Sequence, residues 1–439
     1  MQQTLQESFA IDELHALLPG KVLVPHTAEF DQAIQLWNGA ITKQPALVVL
    51  PETVADVQAA VGFARRHELP LTVLGGGHDW AGRALNEGGL VLSLRNMRRV
   101  KIDVGTQLAT VDGGALTADL IAIAAQFKLV AVTGTVGVVG YAGLTLGGGY
   151  GSLNALFGLA LDNVVRAELV LADGRAVVAS ATEHPDLFWA IRGGGGNFGV
   201  VTSLTVRLHP AKPIVGGTIL FAWSEAAAVL RGYQKLMQSA PDEFSVQAGL
   251  LSAPDGQPMC FLAPTWYGDP QAAEPYLAAL RQLGTPIMDQ VATMQYGELL
   301  GMYDAYVAKG LHYELKTRWT TQLTEANIAA IVQAGTERSS PLSMLSIHPF
   351  HGAPTRVALD ATAFGLRAPH YMVEIIATWD PADAVNAPRH QQWAADLSNA
   401  LAKDALPGGY ANLLGPEEHD QIAQAYGDNL QKLQAVKRT

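Results

Sequence analysis

Residues 74–82 read Leu74-Gly75-Gly76-Gly77-His78-Asp79-Trp80-Ala81-Gly82, and an apolar, strand-like run, Leu69-Pro70-Leu71-Thr72-Val73, leads into them. One histidine therefore stands directly behind three glycines at the end of an expected strand. Glycine tolerates φ > 0, lets successive backbone N–H groups form an anion-binding concavity, and lets a ligand touch the main chain. A histidine at the lip of such a nest can be a nucleophile, a proton carrier or an attachment point. The stretch alone leaves all three roles open.

Two further clusters follow, at 147–151 (Gly-Gly-Gly-Tyr-Gly) and 193–199 (Gly-Gly-Gly-Gly-Asn-Phe-Gly). Gly194, Gly196 and Gly199 satisfy the G-x-G-x-x-G spacing of dinucleotide-binding folds. A Rossmann fingerprint, however, follows a strand and opens a helix. Here a helix-like stretch, Pro185–Arg192, comes first and a β-branched run, Val200–Val206, comes after. No cluster ends in the Lys-Ser/Thr of a P-loop. Any one cluster reads most simply as a tight turn. Three of them beside strands point to a long ligand lying against the backbone, one with a pyrophosphate.

A chain of 439 residues exceeds one ordinary core, so two domains are expected. Hydrophobic residues at 49% and charged residues at 16% describe a well-buried globular protein. The net charge of −11 and a pI near 5.5 favour solubility and disfavour nucleic acid or an anionic membrane as partner. Cys260 is the single cysteine, which excludes an internal disulfide and a cysteine-based zinc site. No metal site is expected. The opening MQQTLQESFAIDELHALL has early acids and no uninterrupted apolar core, unlike a secretory leader. No apolar run reaches bilayer-spanning length. A soluble, reducing, cytoplasmic setting is the expectation.

The first half alternates strand and helix patterns. Ala46–Leu50 is strand-like, Pro51-Glu52-Thr53 opens an amphipathic helix near 54–67, and Leu90–Leu94 and Ala109–Val111 are further apolar runs. Thr117 suits the N-cap of a helix through about Phe127. Residues 167–180 form a hairpin pattern whose Asp173-Gly174 pair suits a type I′ turn. Composition shifts at 208–213, an expected hinge. Beyond it, Ala-rich helical stretches (225–240, 271–284, 323–336) mix with strand-like runs (258–263, 343–348, 371–379), which suggests an antiparallel sheet with helices on one face. A helical pattern at 418–436 closes the chain and suggests a return to the first domain.

These residues match a known family. The chain resembles the FAD-linked oxidases of the vanillyl-alcohol oxidase superfamily, with their PCMH-type FAD-binding domain, in the bacterial berberine bridge enzyme-like, 6-hydroxy-D-nicotine oxidase-like branch. The resemblance runs through PALVVLPETVADVQAAVGFAR (45–65), Gly-Gly-His (76–78), GLTLGGGYGSL (143–153) and FGLALDNV (157–164). The ADG hairpin, PDLFWAIRGGGGNFGVVTSLTVRLHP (185–210) and YGDNLQKLQAVK (426–437) continue it. It implies a two-domain α+β protein: an FAD-binding domain over 1–208, an α+β substrate domain built on an antiparallel sheet over 209–400, and a C-terminal segment, 401–439, returning to the first. It also implies that His78 is bonded covalently to the flavin 8α carbon, for which a neutral imidazole nitrogen is a competent nucleophile. Thr133 occupies the position where some relatives carry a second, cysteinyl link, so FAD held by His78 alone is expected. Contacts to pyrophosphate and adenine would come from Gly75, Gly76, Gly77, Asp79 and Gly82, and from Val139, Gly140, Gly143, Leu144, Gly147, Gly149 and Gly151. Gly199 and Val201 would help hold the adenosine. Leu74 stands where many relatives have an arginine two residues before Gly-Gly-His.

The resemblance also implies chemistry. Hydride would pass from a C–H next to an alcohol or amine to flavin N5, and a base would take the O–H or N–H proton. In relatives that base lies on a strand facing the flavin, here Tyr371–Trp379, which makes Glu374 the expected catalytic base with Asn412 as its companion. Alternation puts Tyr371, Val373, Ile375, Ala377 and Trp379 on one face and Met372, Glu374, Ile376 and Thr378 on the other. Two placements stay open: Glu374 desolvated toward the cofactor, or on an edge strand facing water. Phe157 and Leu413 replace tyrosines of several relatives. His348 and His351 could supply a histidine, though lone histidines are more often structural. Dioxygen is the expected acceptor, giving hydrogen peroxide. A dehydrogenase with another acceptor and a flavin-bearing binding protein are the alternatives. The apolar Met372 and Phe157 lean toward an aromatic or polyketide-like small molecule over a sugar. Oligomeric state is not legible.

Overall fold

The computed structural model describes residues 11–304 and 306–439. Residues 1–10, where the stretch compared with a secretory leader begins, lie outside the described residues. Twenty strands, β1–β20, form three larger sheets and one two-stranded pair among the described residues.

The first sheet joins β1 (Val22–Leu23), β2 (Leu47–Val49), β3 (Leu71–Leu74) and β4 (Leu90–Ser93) in the order β1-β2-β4-β3, with β2 and β3 both parallel to β4. The crossover helix Val54–Arg66 starts on a reciprocal cap between Thr53 and Asp56 and buries Val57, Ala60, Val61, Phe63 and Ala64. It leads into β3, whose last residue, Leu74, hands directly into the glycine loop.

The second sheet holds β5 (Val100–Asp103), β6 (Leu108–Asp112), β8 (Val164–Val170), β9 (Ala176–Ser180) and β10 (Val200–Arg207), ordered β5-β6-β10-β8-β9 and antiparallel throughout. The β8–β9 hairpin differs from expectation. Only Gly174 takes positive φ (+87°); the Gly174 N–H donates to Leu171 O, and the Leu171 N–H donates to Arg175 O. That is a three-residue loop with one left-handed glycine, since Asp173 avoids the φ > 0 that a type I′ turn would impose on it. Thr117 is the first helical residue and not the cap of Thr117–Ala125. Asp119 instead accepts from the Leu116 N–H, and the Thr117 hydroxyl is buried without a partner.

The boundary expected at 208/209 is not a break in packing. His209–Pro210 (β11) pairs with Leu129–Val130 (β7), and Ile214, Tyr267, Tyr296, Leu299 and Leu300 share one core with Leu120, Val164 and Leu204. His209 and Pro210 thus pin the 208–213 stretch by strand pairing, and it is not a free hinge.

The third sheet is antiparallel and runs β16 (Pro286–Asp289), β13 (Ile219–Ala222), β15 (Pro258–Tyr267), β14 (Phe244–Ser252), β19 (Met344–Phe350), β20 (His370–Trp379), β18 (His312–Thr320), with β12 (Ile214–Gly216) and β17 (Ala292–Met294) attached beside β15. One face packs on the helices Ala226–Met237, Pro270–Arg281, Glu325–Thr336 and Ala387–Leu401, in a core that includes Val373, Ile375, Ala377, Trp379 and Cys260. The other face meets the first half of the chain: Met372 packs with Tyr150, Leu159 and Tyr410, and Ile376 with Trp37 and Trp80. The closing helix splits into His419–Gln424 and Leu430–Arg438 around a turn at 427–429, and Leu433 packs on Trp189 and Ala190.

Candidate active site

The glycine loop meets a second loop backbone to backbone. A Cβ on Gly76 would lie 2.4 Å from Gly140 N, and one on Gly140 would lie 2.5 Å from Gly76 N. Only two glycines allow this approach. Among the described residues the amides of Gly76, Gly77, His78 and Asp79 find no acceptor in the chain. Beside them the helix Tyr141–Gly147 begins, and Gly143 on it faces open space: a methyl group there would have no neighbour within 4 Å.

His78 is half-buried as a residue, yet its Nε2 is shielded from water and has no hydrogen-bond partner among the described residues. Burial pushes its pKa down to about 4, opposed only by a bond to its own backbone. The ring is therefore neutral near pH 7 and keeps one nitrogen unused. Trp37 stacks on it at 4.2 Å between centroids and 14° between planes.

Several glycines expected at the cofactor are also required by protein neighbours. A methyl on Gly82 would strike Ile41, one on Gly147 would strike Asn412, one on Gly149 Ala160, and one on Gly151 the Thr133 carbonyl. At Gly199 it would lie 2.8 Å from Val170 O, while the Val201 carbonyl abuts Gly113 and the Val139 carbonyl accepts from Thr117 N–H. Their small size or position is thus accounted for by packing. Gly75, with only an ordinary 3.4 Å neighbour, and Gly143 keep room for a ligand. Asp79 pairs with Arg83, whose Nε donates to its Oδ1 at 2.9 Å.

Glu374 lies on β20 between β19 and β18, so the edge-strand placement is excluded. It points, with Met372 and Ile376, toward the first half of the chain. His348 Nε2 lies 3.2 Å from Glu374 Oε2, because both strands turn the same face to the cleft. A small hollow lined by Tyr150, Asn154, Ser245, Gln247 and His348 opens where this face meets the 147–154 stretch. Asn412 Nδ2 donates to Leu144 O at 3.0 Å and to the Tyr410 hydroxyl at 2.8 Å. Both amide hydrogens hold a clasp between the C-terminal segment and the helix Tyr141–Gly147. The Tyr410 oxygen also accepts from Gly149 N–H at 2.9 Å, and burial pushes its phenol up to about 12.

Phe157 and Met372 are packing residues here. Phe157 stacks on His209 at 3.8 Å and meets Tyr267 edge-on, while Met372 is buried among aromatic rings. Thr133 is fully buried and hydrogen-bonds to Tyr296 at 2.9 Å. Cys260 faces the helix-side core, where burial raises its thiol to about 12. His351 is half-buried and its ring nitrogens are unpartnered. Tyr313 stacks on Trp37, and Lys316 pairs with Glu314 (2.9 Å) and Glu418 (3.2 Å).

Sequence reasoning missed three groups. Trp37 carried no motif signal. The His348–Glu374 pair joins strands 26 residues apart in sequence, so only the register shows it. Arg95 reaches the loop, with Nη2 2.7 Å from where a Gly77 Cβ would stand, and donates to Ala33 O and Gln35 O. It brings a guanidinium to a loop that lacks the relatives' arginine. A separate hollow of about 290 Å³, lined by Val54, Met97, Arg99, Asp112, Glu168 and Thr202, involves neither His78 nor Glu374, and its mixed charges make no anion site.

An unpartnered buried imidazole nitrogen, a run of amides without acceptors, and open space at Gly143 fit a flavin dinucleotide. This is the architecture of an FAD-linked oxidoreductase. A family model of the FAD binding domain matches residues 45–180. The chain is 30% identical over 442 residues to (R)-6-hydroxynicotine oxidase of Paenarthrobacter nicotinovorans, covering 96% of this chain and 94% of that one. The chain belongs to this family of FAD-linked oxidoreductases. The crystal structure of 6-hydroxy-D-nicotine oxidase from Arthrobacter nicotinovorans superposes with a TM-score of 0.87 at 30% identity, covering 96% of this chain and 95% of that one. Berberine bridge enzyme-like 1 of Physcomitrella patens shares the fold at a TM-score of 0.90 and 23% identity, covering 98% of this chain and 96% of that one. The protein is thus an enzyme of the PCMH-type fold with FAD as its cofactor. Among the described residues no helix is long and apolar enough to cross a membrane.

Proposed function

We propose that the protein is an oxidase that removes hydride from a C–H next to an alcohol or amine of a small molecule, with FAD tethered through His78 and dioxygen as the final acceptor. When bound, FAD supplies the hydride acceptor. The chain supplies the rest: the amides of 76–79 face the anionic part of the cofactor, His78 Nε2 forms the tether, and Glu374 takes the substrate proton. The observation that carries this reading is the placement of Glu374: a carboxylate on an interior strand, turned to the cleft, with His348 beside it. Burying a carboxylate there is costly, and a role in proton transfer gives that cost a purpose.

The cross-strand row Thr317–Glu374–Ser346–Gly249–Phe261–Leu220 supports an apolar, planar substrate. Gly249 and Ser346 stand between the carboxylate and Phe261, whose ring reaches to Gly249, and Leu251 and Met259 extend the apolar cluster beside it. This row replaces Met372 and Phe157 as support for the aromatic lean. The (R)-6-hydroxynicotine oxidase relationship makes hydroxylated N-heterocycles the first compounds to try. The net charge of −11 supports small molecules over nucleic acid or an anionic membrane as partners, and the cytoplasm is the compartment proposed.

The test is anaerobic mixing of the holoenzyme with 6-hydroxynicotine and a panel of aromatic alcohols and amines. Bleaching of the flavin band, followed by hydrogen peroxide on readmitting air, is expected. Bleaching without peroxide would make the enzyme a dehydrogenase, and a flavin that none of the panel reduces would contradict the substrate class.

A further inference from the structure

We propose that Trp37 is the positioning residue that presents the His78 imidazole for attachment to the flavin; the proposal rests on the tether reading given above. Trp37 is the middle ring of a three-ring stack. His78 lies on one side at 4.2 Å and 14°, and Tyr313 on the other at 3.7 Å and 23°. The indole is fixed in its own plane as well, because its N–H donates to Val307 O at 2.9 Å. The Trp37 backbone N–H donates to Gly77 O at 2.8 Å, which ties the tryptophan to the residue preceding the histidine.

The next residue locks the frame. Asn38 is buried; its Nδ2 donates to Trp80 O (2.7 Å) and Tyr313 O (2.9 Å), and its Oδ1 accepts from Tyr313 N–H (3.0 Å). The segment therefore staples the cofactor loop, on both sides of His78, to the edge strand β18. A histidine following three glycines would otherwise sample many backbone and ring orientations. The stack leaves it one plane, and orientation of a reacting group is worth large factors in rate. An Nε2 without a hydrogen-bond partner gains no such direction from a polar contact, so the stack supplies it.

In net terms attachment exchanges an imidazole N–H and a methyl C–H of the cofactor for one N–C bond. Two electrons and two protons leave, and dioxygen takes them up as hydrogen peroxide. Trp37 takes no part in that balance; it sets the angle at which the nitrogen meets the carbon.

The test compares the wild-type holoenzyme with Trp37→Leu, Trp37→Phe and Tyr313→Leu, each expressed with ample riboflavin. Total flavin per chain is read from absorbance, and the covalent fraction from flavin fluorescence retained on an acid-treated denaturing gel. Trp37→Leu is expected to keep total flavin within about twofold while its covalent fraction falls about tenfold or more. Trp37→Phe, which keeps a stacking ring but loses the indole N–H, is expected to recover most of it, and Tyr313→Leu to fall between. A merely structural role would lower total flavin and melting temperature together and leave the covalent share of bound flavin unchanged; that result overturns the proposal. So does Trp37→Phe behaving like Trp37→Leu. Should Trp37→Leu not fold, a wild-type attachment rate in both remaining variants overturns it. A wild-type band without fluorescence would instead remove the tether reading itself, which the first lane distinguishes.

Discussion

At the residue scale the two groups on which the proposed function rests, His78 and Glu374, stand in different surroundings. Among the described residues His78 has no acidic partner and its Nε2 is almost dry, so its ring is neutral well above its folded pKa of about 4. That state suits a nucleophile and excludes a cationic role near pH 7. Glu374 has a hydrogen-bond partner and a place on the cleft face. Glu374→Gln is expected to slow anaerobic flavin reduction by about 10²–10⁴-fold, the usual worth of a general base, with flavin content unchanged. A variant that reduces as fast as the wild type would move the base elsewhere. His348→Gln, which keeps a donor toward the carboxylate, is expected to cost less in kcat than His348→Leu in the same assay.

At the element scale the site depends on two close approaches. Gly76→Ala would put a methyl 2.4 Å from Gly140 N, where only backbone could move. The loops must part, so a loss of about 1–3 kcal/mol in stability is expected, together with reduced flavin incorporation. Chemical denaturation and absorbance check both. Asn38→Ala removes three buried hydrogen bonds and is expected to cost about 2–4 kcal/mol in the same denaturation measurement.

The elements that carry these approaches were largely legible. The helix after Thr53, the strands at 47–49 and 71–74, and the alternation at 371–379 are local patterns, and hydrophobic period decides them. What was not legible is tertiary. The hairpin loop at Asp173-Gly174 closed with one left-handed residue where the dipeptide suggested two. The contacts of glycines 147, 149 and 151 with Asn412, Ala160 and Thr133 are set by the folded loops and carry no local sequence signal. Trp37, Arg95 and the partner of Glu374 acquire meaning only when register and loops bring them to His78 and the cleft.

At the scale of the whole molecule the first half and the nine-stranded sheet are one packed body at their seam. Arg367 forks onto Asp162 with two 2.8 Å bonds, both side chains being 9% exposed or less. Asp162→Asn leaves a buried guanidinium without its counter-charge and is expected to cost about 3–5 kcal/mol, read as a lowered denaturation midpoint. Acid should act on the whole fold through its buried imidazoles. His78, His209 and His370 are each depressed to about 4, by burial first of all. An unfolded histidine titrates near 6.5, so between about pH 6.5 and 4 the unfolded chain binds more protons than the folded one. Their contribution is complete above about pH 6.5 and is lost as pH falls toward 4. The thermal midpoint is expected to drop from pH 7 to pH 5; a flat profile over that interval would contradict neutral burial of these rings.

The central claim is that His78 carries the flavin and Glu374 faces it. Its most direct test is mass spectrometry of a proteolytic digest of the native holoenzyme. The flavin-bearing peptide is expected to contain His78 and no other peptide to carry flavin, the label vanishing in His78→Ala. Flavin released quantitatively by denaturation, or found on a different residue, would contradict it.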